Sequence, residues 1–362
     1  MKLHKKHIIL YPLSLIYGLI AAFRNWLFDQ ELLSSTEFKL PIISVGNLAV
    51  GGTGKTPHAE FILRTLQDEW KAAVLSRGYK RKTKGFYLAD ENSDSKTLGD
   101  EPFQIHRKFP KVSVAVDEKR VHGVQMLQEL VPDIQVIILD DAFQHRYIQP
   151  GLSILLTDYS NLYSTDFVLP AGELREWKSG STRANIVVVT KCPANINPMQ
   201  MRIIELELNI ETNQHIYFSC FEYHEMVPVF PEFVSKKWTL SELKEAEGAI
   251  LLTAGIVSPE PIVEYLTNYT HELKSVLFDD HHDFNQKDFN AIIKKYEAIE
   301  NTEKIIVVTE KDAARLVSNP LFPESLKTRT FAVPIRVSIL HDQETLFIQK
   351  IKDYVAKNSR NH

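Results

Sequence analysis

"PIISVGNLAVGGTGKTPHAEFILRTLQDEW", residues 41–70, sets an apolar run, a glycine-rich turn and an amphipathic stretch in immediate succession. That order predicts strand, loop and helix. It is the arrangement that lets backbone N–H groups and a helix N-terminus converge on phosphates. Gly54, Lys55 and Thr56 fit the end of the pattern G-x-x-x-x-G-K-[ST], but Ala49 stands where the leading glycine belongs. The loop is therefore expected to begin differently, with Gly46 supplying the turn. Gly51, Gly52, Thr53 and Gly54 form the phosphate cradle, Lys55 is placed to reach the β- and γ-phosphates, and the Thr56 hydroxyl to ligate Mg²⁺. Pro57 falls early in the helix, where a missing N–H costs little.

Working outward, "IQVIILDD" (134–141) is a second apolar run, ending in Asp140 and Asp141. A strand-end acid pair alone could be plain solvation of a terminus; downstream of a P-loop it reads as the Mg²⁺ site. Further short runs, "AAVLS" (72–76), "VSVAV" (112–116), "SILLTD" (153–158) and "NIVVVTK" (185–191), have the uniform apolarity of strands buried on both faces. A second series starts near residue 249 with "AILLTA", "LKSVLF", "KIIVVT" and "TRTFAV". The expected class is α/β: a P-loop NTPase-type parallel-sheet domain, a second, smaller α/β domain, and an N-terminal membrane-associated helix. The expected spans are 1–35 for that helix, 36–222 for the P-loop domain and 223–340 for the second domain, with the junction in "FEYHEMVPVFPEFVSKKW" (221–238). An amphipathic C-terminal helix occupies 341–362, its domain left open.

With 362 residues, two domains are the natural expectation. The net charge of −4 gives no global basic field, so no nucleic-acid partner is expected. Cys192 and Cys220 are too few and too scattered for a disulfide framework or a zinc site. At the N-terminus, Lys2, Lys5 and Lys6 precede an apolar run from Ile8 to Phe23, closed by Arg24 and Trp26. The run is shorter than the roughly 20 residues needed to cross a hydrocarbon core. A signal peptide would share this pattern, but nucleotide chemistry and cysteine usage speak against export. The reading is an in-plane anchor on an anionic membrane surface, with the chemistry independent of it, so that loss of residues 1–26 detaches the protein and spares the site.

Three classes of P-loop protein compete. A GTPase would show N-K-x-D, yet "VVVTKCP" flanks Lys191 with Thr190 and Pro193. A membrane-cycling partition ATPase, the alternative kept, would carry a lysine where Val50 stands. A small-molecule or lipid kinase needs a base near the γ-phosphate. "LGDEPFQ" offers Asp100, whose plain reading is a helix N-cap. "FDDHHDF" (278–284) clusters acids with His281 and His282, and "DDAFQHR" adds Gln144 and His145.

The ordered set "SVGNLAVGGTGKTP", "SRGYKRKTKG", "GDEP", "DDAFQHR", "LPAGELRE", "VVVTKCP", "TAGIVSPEP", "DHHDF" and "VVTEKDAARL", spanning residues 44–316, resembles the tetraacyldisaccharide 4′-kinases, also called lipid A 4′-kinases. The non-glycine at Ala49 is itself that family's form; Glu173 departs from it, standing where proline is common. The resemblance implies transfer of phosphate from ATP–Mg²⁺ to the 4′-hydroxyl of a tetraacylated glucosamine disaccharide 1-phosphate, giving lipid IVA. It implies two α/β domains joined by a β-stranded hinge, with the active site in the cleft between them. The expected place is the cytoplasmic face of the inner membrane, and the oligomeric state stays open. By motif, Asp100 is the base and His281 its partner, with His282 as the competing choice. Asp140, Asp141 and Glu176 join Thr56 in the Mg²⁺ shell, with His145 close by. The basic run 77–84 is either a solvated loop or an anion contact; the second is favoured for a phosphate-bearing lipid, with Arg77 nearest the nucleotide.

Overall fold

In the computed structural model, which describes residues 5–234, 238–280 and 282–359, the chain forms two compact units. One takes the chain up to Asn92, then Ile105–Phe221 and everything from Val337 on; the other takes Ser93–Gln104 and Glu222–Arg336.

All six sequence-predicted apolar runs of the first unit are strands of one nine-stranded sheet. From one edge the order is Ile335–Ile339, His215–Tyr223, Ile186–Thr190, Leu152–Asp158, Ile42–Asn47, Val136–Asp140, Ala72–Ser76, Ser113–Val116 and Tyr87–Leu88. Pairing is parallel from His215–Tyr223 to Ser113–Val116, and Tyr87–Leu88 is antiparallel. Every residue of Ile42–Asn47 and of Val136–Asp140 is buried, as strands covered on both faces must be. Register then decides the chemistry. Val45 lies opposite Asp140, so the glycine loop and the acid pair leave the sheet at the same edge.

The C-terminal helix, Glu344–Ser359, belongs to this first unit. Phe347 is 1% exposed and packs between Phe61 of the P-loop helix and Tyr217, ring centroids 5.7 and 4.9 Å away. The Tyr354 hydroxyl accepts from Ile42 N–H and donates to Ile42 C=O, both at 3.0 Å, tying the helix to the start of the central strand.

Helix α1, Lys5–Asp29, runs unbroken through Pro12 and packs on the same unit. Its inner face is made of Ser14, Gly18, Asn25 and Phe28 at helical spacing. Ser14 Oγ accepts from Ala171 N–H at 2.8 Å, and a Cβ on Gly18 would lie 2.6 Å from the Trp177 ring, so glycine sets that close approach. The outer face leaves Ile9, Leu13, Ile16, Ile20 and Phe23 each more than half exposed. Among the described residues, no helix is long and apolar enough to cross a membrane.

The second unit holds a five-stranded sheet in the order Val227–Pro228, Thr330–Val333, Lys304–Thr309, Ala249–Ala254, Leu273–Leu277, parallel except at the first pair. The segment 93–104, expected inside a continuous span 36–222, is grouped with this unit instead. The cause is local. Ser95 N–H donates to Ser318 Oγ at 3.4 Å, and Asp100 is ion-paired to Arg315 at 2.8 Å.

Phe347→Ala is expected to lower unfolding free energy by about 3–5 kcal/mol, as for a large aromatic removed from a tight core. Urea unfolding measures it; a loss under 1 kcal/mol would mean the C-terminal helix is not part of that core.

Candidate active site

Between Asn47 and Lys55 the chain turns back on itself with Gly51 at φ +104° and Gly54 at φ +86°, left-handed values that glycine adopts without cost. Two neighbours hold the loop in shape. Asn47 Nδ2 donates to Thr53 Oγ1 at 2.8 Å, and Thr190 Oγ1 donates to the Thr53 carbonyl at 2.9 Å. Lys55 starts the helix Lys55–Leu66, and its ammonium lies 3.4 Å from the Gly51 carbonyl, 3.5 Å from Asn47 Oδ1 and 3.8 Å from Asp141. All three contacts are long, so the ammonium retains donors for an anion. Thr56 is buried one residue on. The expectation that Gly46 supplies the turn is replaced: Gly46 is inside the strand, where a Cβ would meet Phe143 at 2.7 Å.

Asp140 ends its strand, 1% exposed, and accepts from Ser76 Oγ at 3.4 Å; Asp141 follows at φ +49° and turns outward. Burial resists the charge on Asp141, but Lys55 and Arg175 outweigh it and hold its carboxyl below the usual range. Arg175 Nη1 donates to Asp141 Oδ1 at 2.9 Å and to Gln144 Oε1 at 3.3 Å. Buried Arg120 sits behind, within 3.5 Å of the Asp140 carbonyl; burial pulls its pKa to about 10, with Asp140 and Asp141 opposing, so it stays cationic at neutral pH. His145 is pushed down to about 4, by burial first and then by Arg120 and Arg77. At pH 7 it is a neutral imidazole and offers hydrogen bonding rather than charge.

Glu176 is 2% exposed and fully engaged. Its Oε1 accepts from Arg183 at 2.7 Å and Gln144 Nε2 at 3.2 Å; its Oε2 accepts from Asn25 of α1 at 2.6 Å. Among the described residues, no group of three His, Cys, Asp or Glu side chains is placed to hold a metal ion. The oxygens of Thr56 and Asp141 are nonetheless hard donors suited to Mg²⁺, whose remaining positions usually go to water and phosphate. The basic run 77–84 lines a depression of about 370 Å³ with Glu118 at its side. Arg81 is spent structurally there, on Glu118 at 2.7 Å and the Gly85 carbonyl at 2.5 Å, whereas Arg77, Lys80, Lys82 and Lys84 line the same depression.

In the second unit, Asp100 opens the helix Asp100–Lys108 and its Oδ2 accepts from Arg315 Nε at 2.8 Å. Arg315 is itself braced, its Nη1 on Asp312 Oδ1 at 3.0 Å. Asp312 is fully buried and accepts from Gly255 N–H at 2.9 Å and Thr309 Oγ1 at 2.7 Å. His282 is hydrogen-bonded to Asp288 at 2.9 Å and stacked on Phe278, while His281 lies outside the described residues. Asn47, Arg120, Arg315 and Asn25 escaped the sequence reading. Arg315 and Arg175 sat inside quoted motifs without a role, whereas Asn25 carries no local signal at all.

His58 sets a pH dependence. It is buried between the Gly54 carbonyl (2.8 Å) and Ser219 Oγ (3.0 Å), and burial lowers its pKa to about 4. Below pH 6.5 the unfolded chain takes up a proton that the folded chain refuses. Stability is therefore whole above pH 6.5 and falls steadily towards pH 4, by about 1.4 kcal/mol per pH unit from this residue. Urea titrations at pH 7.5 and 5.5 should show a shallower loss in His58→Gln than in the wild type; equal slopes would contradict the assignment.

A family model described as tetraacyldisaccharide-1-P 4′-kinase matches residues 6–355. The tetraacyldisaccharide 4′-kinase of Bacteroides thetaiotaomicron is 48% identical over 99% of this chain and 95% of its own length. That of Flavobacterium johnsoniae is 46% identical over 97% of each. The crystal structure of LpxK from Aquifex aeolicus in complex with ATP superposes with a TM-score of 0.73 at 28% identity, covering 96% of this chain and 99% of that one. With its P-loop, its strand-end acids and a match along nearly its whole length, this chain belongs to the tetraacyldisaccharide-1-phosphate 4′-kinase family.

Proposed function

We propose that the chain transfers the γ-phosphoryl group of ATP to the 4′-hydroxyl of a tetraacylated glucosamine disaccharide 1-phosphate, giving lipid IVA. The observation that carries this reading is the cation–carboxylate cluster of Lys55, Asp141 and Arg175 at the mouth of the glycine loop, in a chain matched by the kinase family over residues 6–355. Phosphoryl transfer demands positioning and neutralisation of charge more than covalent chemistry. The loop of Gly51–Gly54 presents backbone N–H groups to the phosphates, Lys55 grips their outer oxygens, and Arg175 supplies a second cation beside them. Thr56 and Asp141 would hold Mg²⁺, with Asp140 behind. When bound there, the ion would supply neutralisation of the charge that develops on the phosphates. Glu176, with both oxygens on protein donors, shapes that corner from behind.

A sugar hydroxyl is a weak nucleophile and needs a carboxylate to take its proton. Asp100 is assigned that role. Arg315, 2.8 Å from its Oδ2, fixes the direction in which it points. His281, by motif, is its partner. Arg77 with Lys80, Lys82 and Lys84 suits the 1-phosphate of the acceptor. The outer face of α1, with Arg24 at its end, suits the headgroup boundary of the cytoplasmic leaflet of the inner membrane, from which acyl chains are drawn.

Incubation with γ-labelled ATP, Mg²⁺ and the disaccharide 1-phosphate lipid in mixed micelles should place label on the lipid. Label appearing solely as inorganic phosphate would overturn the kinase reading in favour of a partition-type ATPase. Asp100→Asn should lower turnover by about 10²–10⁴-fold with ATP affinity within twofold; full turnover in that variant removes Asp100 from the base role.

A further inference from the structure

A helix that only anchored the protein would need an apolar outer face and an inner face that packs. The inner face of α1 carries more than that. Asn25 Nδ2 donates to Glu176 Oε2 at 2.6 Å, and Asn25 Oδ1 is buried with no protein partner, so the side chain is held there for its donor. From Glu176 the path continues into the phosphate loop. Gln144 Nε2 donates both to Glu176 Oε1 at 3.2 Å and to the Asn47 carbonyl at 2.8 Å. The Asn47 side chain then holds Thr53 and approaches Lys55. Arg24 makes a second link, its Nη2 donating to the Gln144 carbonyl at 2.9 Å. Tyr17 makes a third, its hydroxyl donating to the carbonyl of Arg175 at 3.0 Å. Three residues of one helix thus grip the backbone or side chains of Arg175, Glu176 and Gln144, and Arg175 is itself ion-paired to Asp141.

We infer that α1 is a working part of the phosphate site and that Asn25 is a positioning residue for the kinase reaction, acting through Glu176 and Gln144 on Asn47. The inference rests on the kinase reading above. It replaces the expectation that the chemistry is independent of the N-terminal helix. Without the Asn25 donor, a buried carboxylate oxygen loses its partner. A buried carboxylate lacking a donor is costly, so Glu176 turns towards its remaining donors, Arg183 and Gln144. Gln144 cannot follow without loosening its bond to the Asn47 carbonyl. Displacements of about 1 Å at a transfer site cost up to 10²-fold in rate. Seating of the helix and geometry of the P-loop are in this way one event, and an enzyme lifted off its helix loses turnover on any substrate, dispersed or in a bilayer.

The test uses the full-length protein in saturating mixed micelles, with kcat, KM for ATP, vesicle co-sedimentation and thermal melting read in parallel. Asn25→Ala should lose about tenfold in kcat while pelleting with anionic vesicles as the wild type does. In a double-mutant cycle, Asn25→Ala on a Glu176→Gln background should add less than twofold, because both act along one path. A kcat within twofold of wild type, or losses that simply multiply, overturns the proposal. If Asn25→Ala fails to fold, Arg24→Met at its exposed position decides: a two- to threefold lower kcat at saturation supports the coupling, and an unchanged kcat overturns it. Wild-type enzyme that binds ATP but labels no lipid would instead point to failure of the kinase reading. In that case weakened ATP affinity in Asn25→Ala supports the path, and unchanged affinity overturns it.

Discussion

Asp141 sits where two cations and one anion must be kept in balance while partly out of water. Placing a carboxylate there is unfavourable by itself, and Lys55 and Arg175 reverse the sign. The same three groups also set the local charge of the site. Two cations facing one carboxylate leave an excess of positive charge at the mouth of the glycine loop, suited to an anionic polyphosphate. The protein as a whole is mildly acidic, so this attraction is local, created by side chains converging at one sheet edge. Register produces that convergence: because Val45 pairs with Asp140, the chain need only turn once after each strand to bring loop and acid together.

Around this cluster the structure buries two carboxylates, and each is enclosed by donors that explain it. Glu176 is enclosed by Arg183, Gln144 and Asn25; Asp312 by Gly255, Thr309 and Arg315. Such networks are stiff because any one loss strands a charge. They serve the residues in front of them. The first backs the phosphate loop, and the second fixes the direction of Asp100. Asp100 and Glu176 are each thereby held by a residue far away in sequence.

Much of this was legible beforehand. The alternating apolar runs foretold the parallel sheet because strands buried on both faces leave no room for polar alternation, and the P-loop was readable since its chemistry is local in sequence. What escaped depends on long-range geometry. Asn25 and Glu176 are 151 residues apart, and Asp100 and Arg315 are 215 apart. No periodicity links such pairs. The strand His215–Tyr223 was missed for a different reason: mixed polar and aromatic residues and a half-exposed start blur its pattern. The excursion of 93–104 into the second unit likewise follows from contacts that only the folded chain makes.

The return of the C-terminal helix to the P-loop helix also governs the order in which the protein is born. Residues 222–336 leave the ribosome as a nearly complete unit, while the nucleotide-binding sheet waits for Glu344–Ser359 to cover Phe61 and to clasp Ile42 through Tyr354. Until that helix docks, the apolar surface met by Phe347 lacks its cover. A nascent chain thus carries an unfinished nucleotide-binding sheet, and closure of that core is timed by translation of the helix Glu344–Ser359.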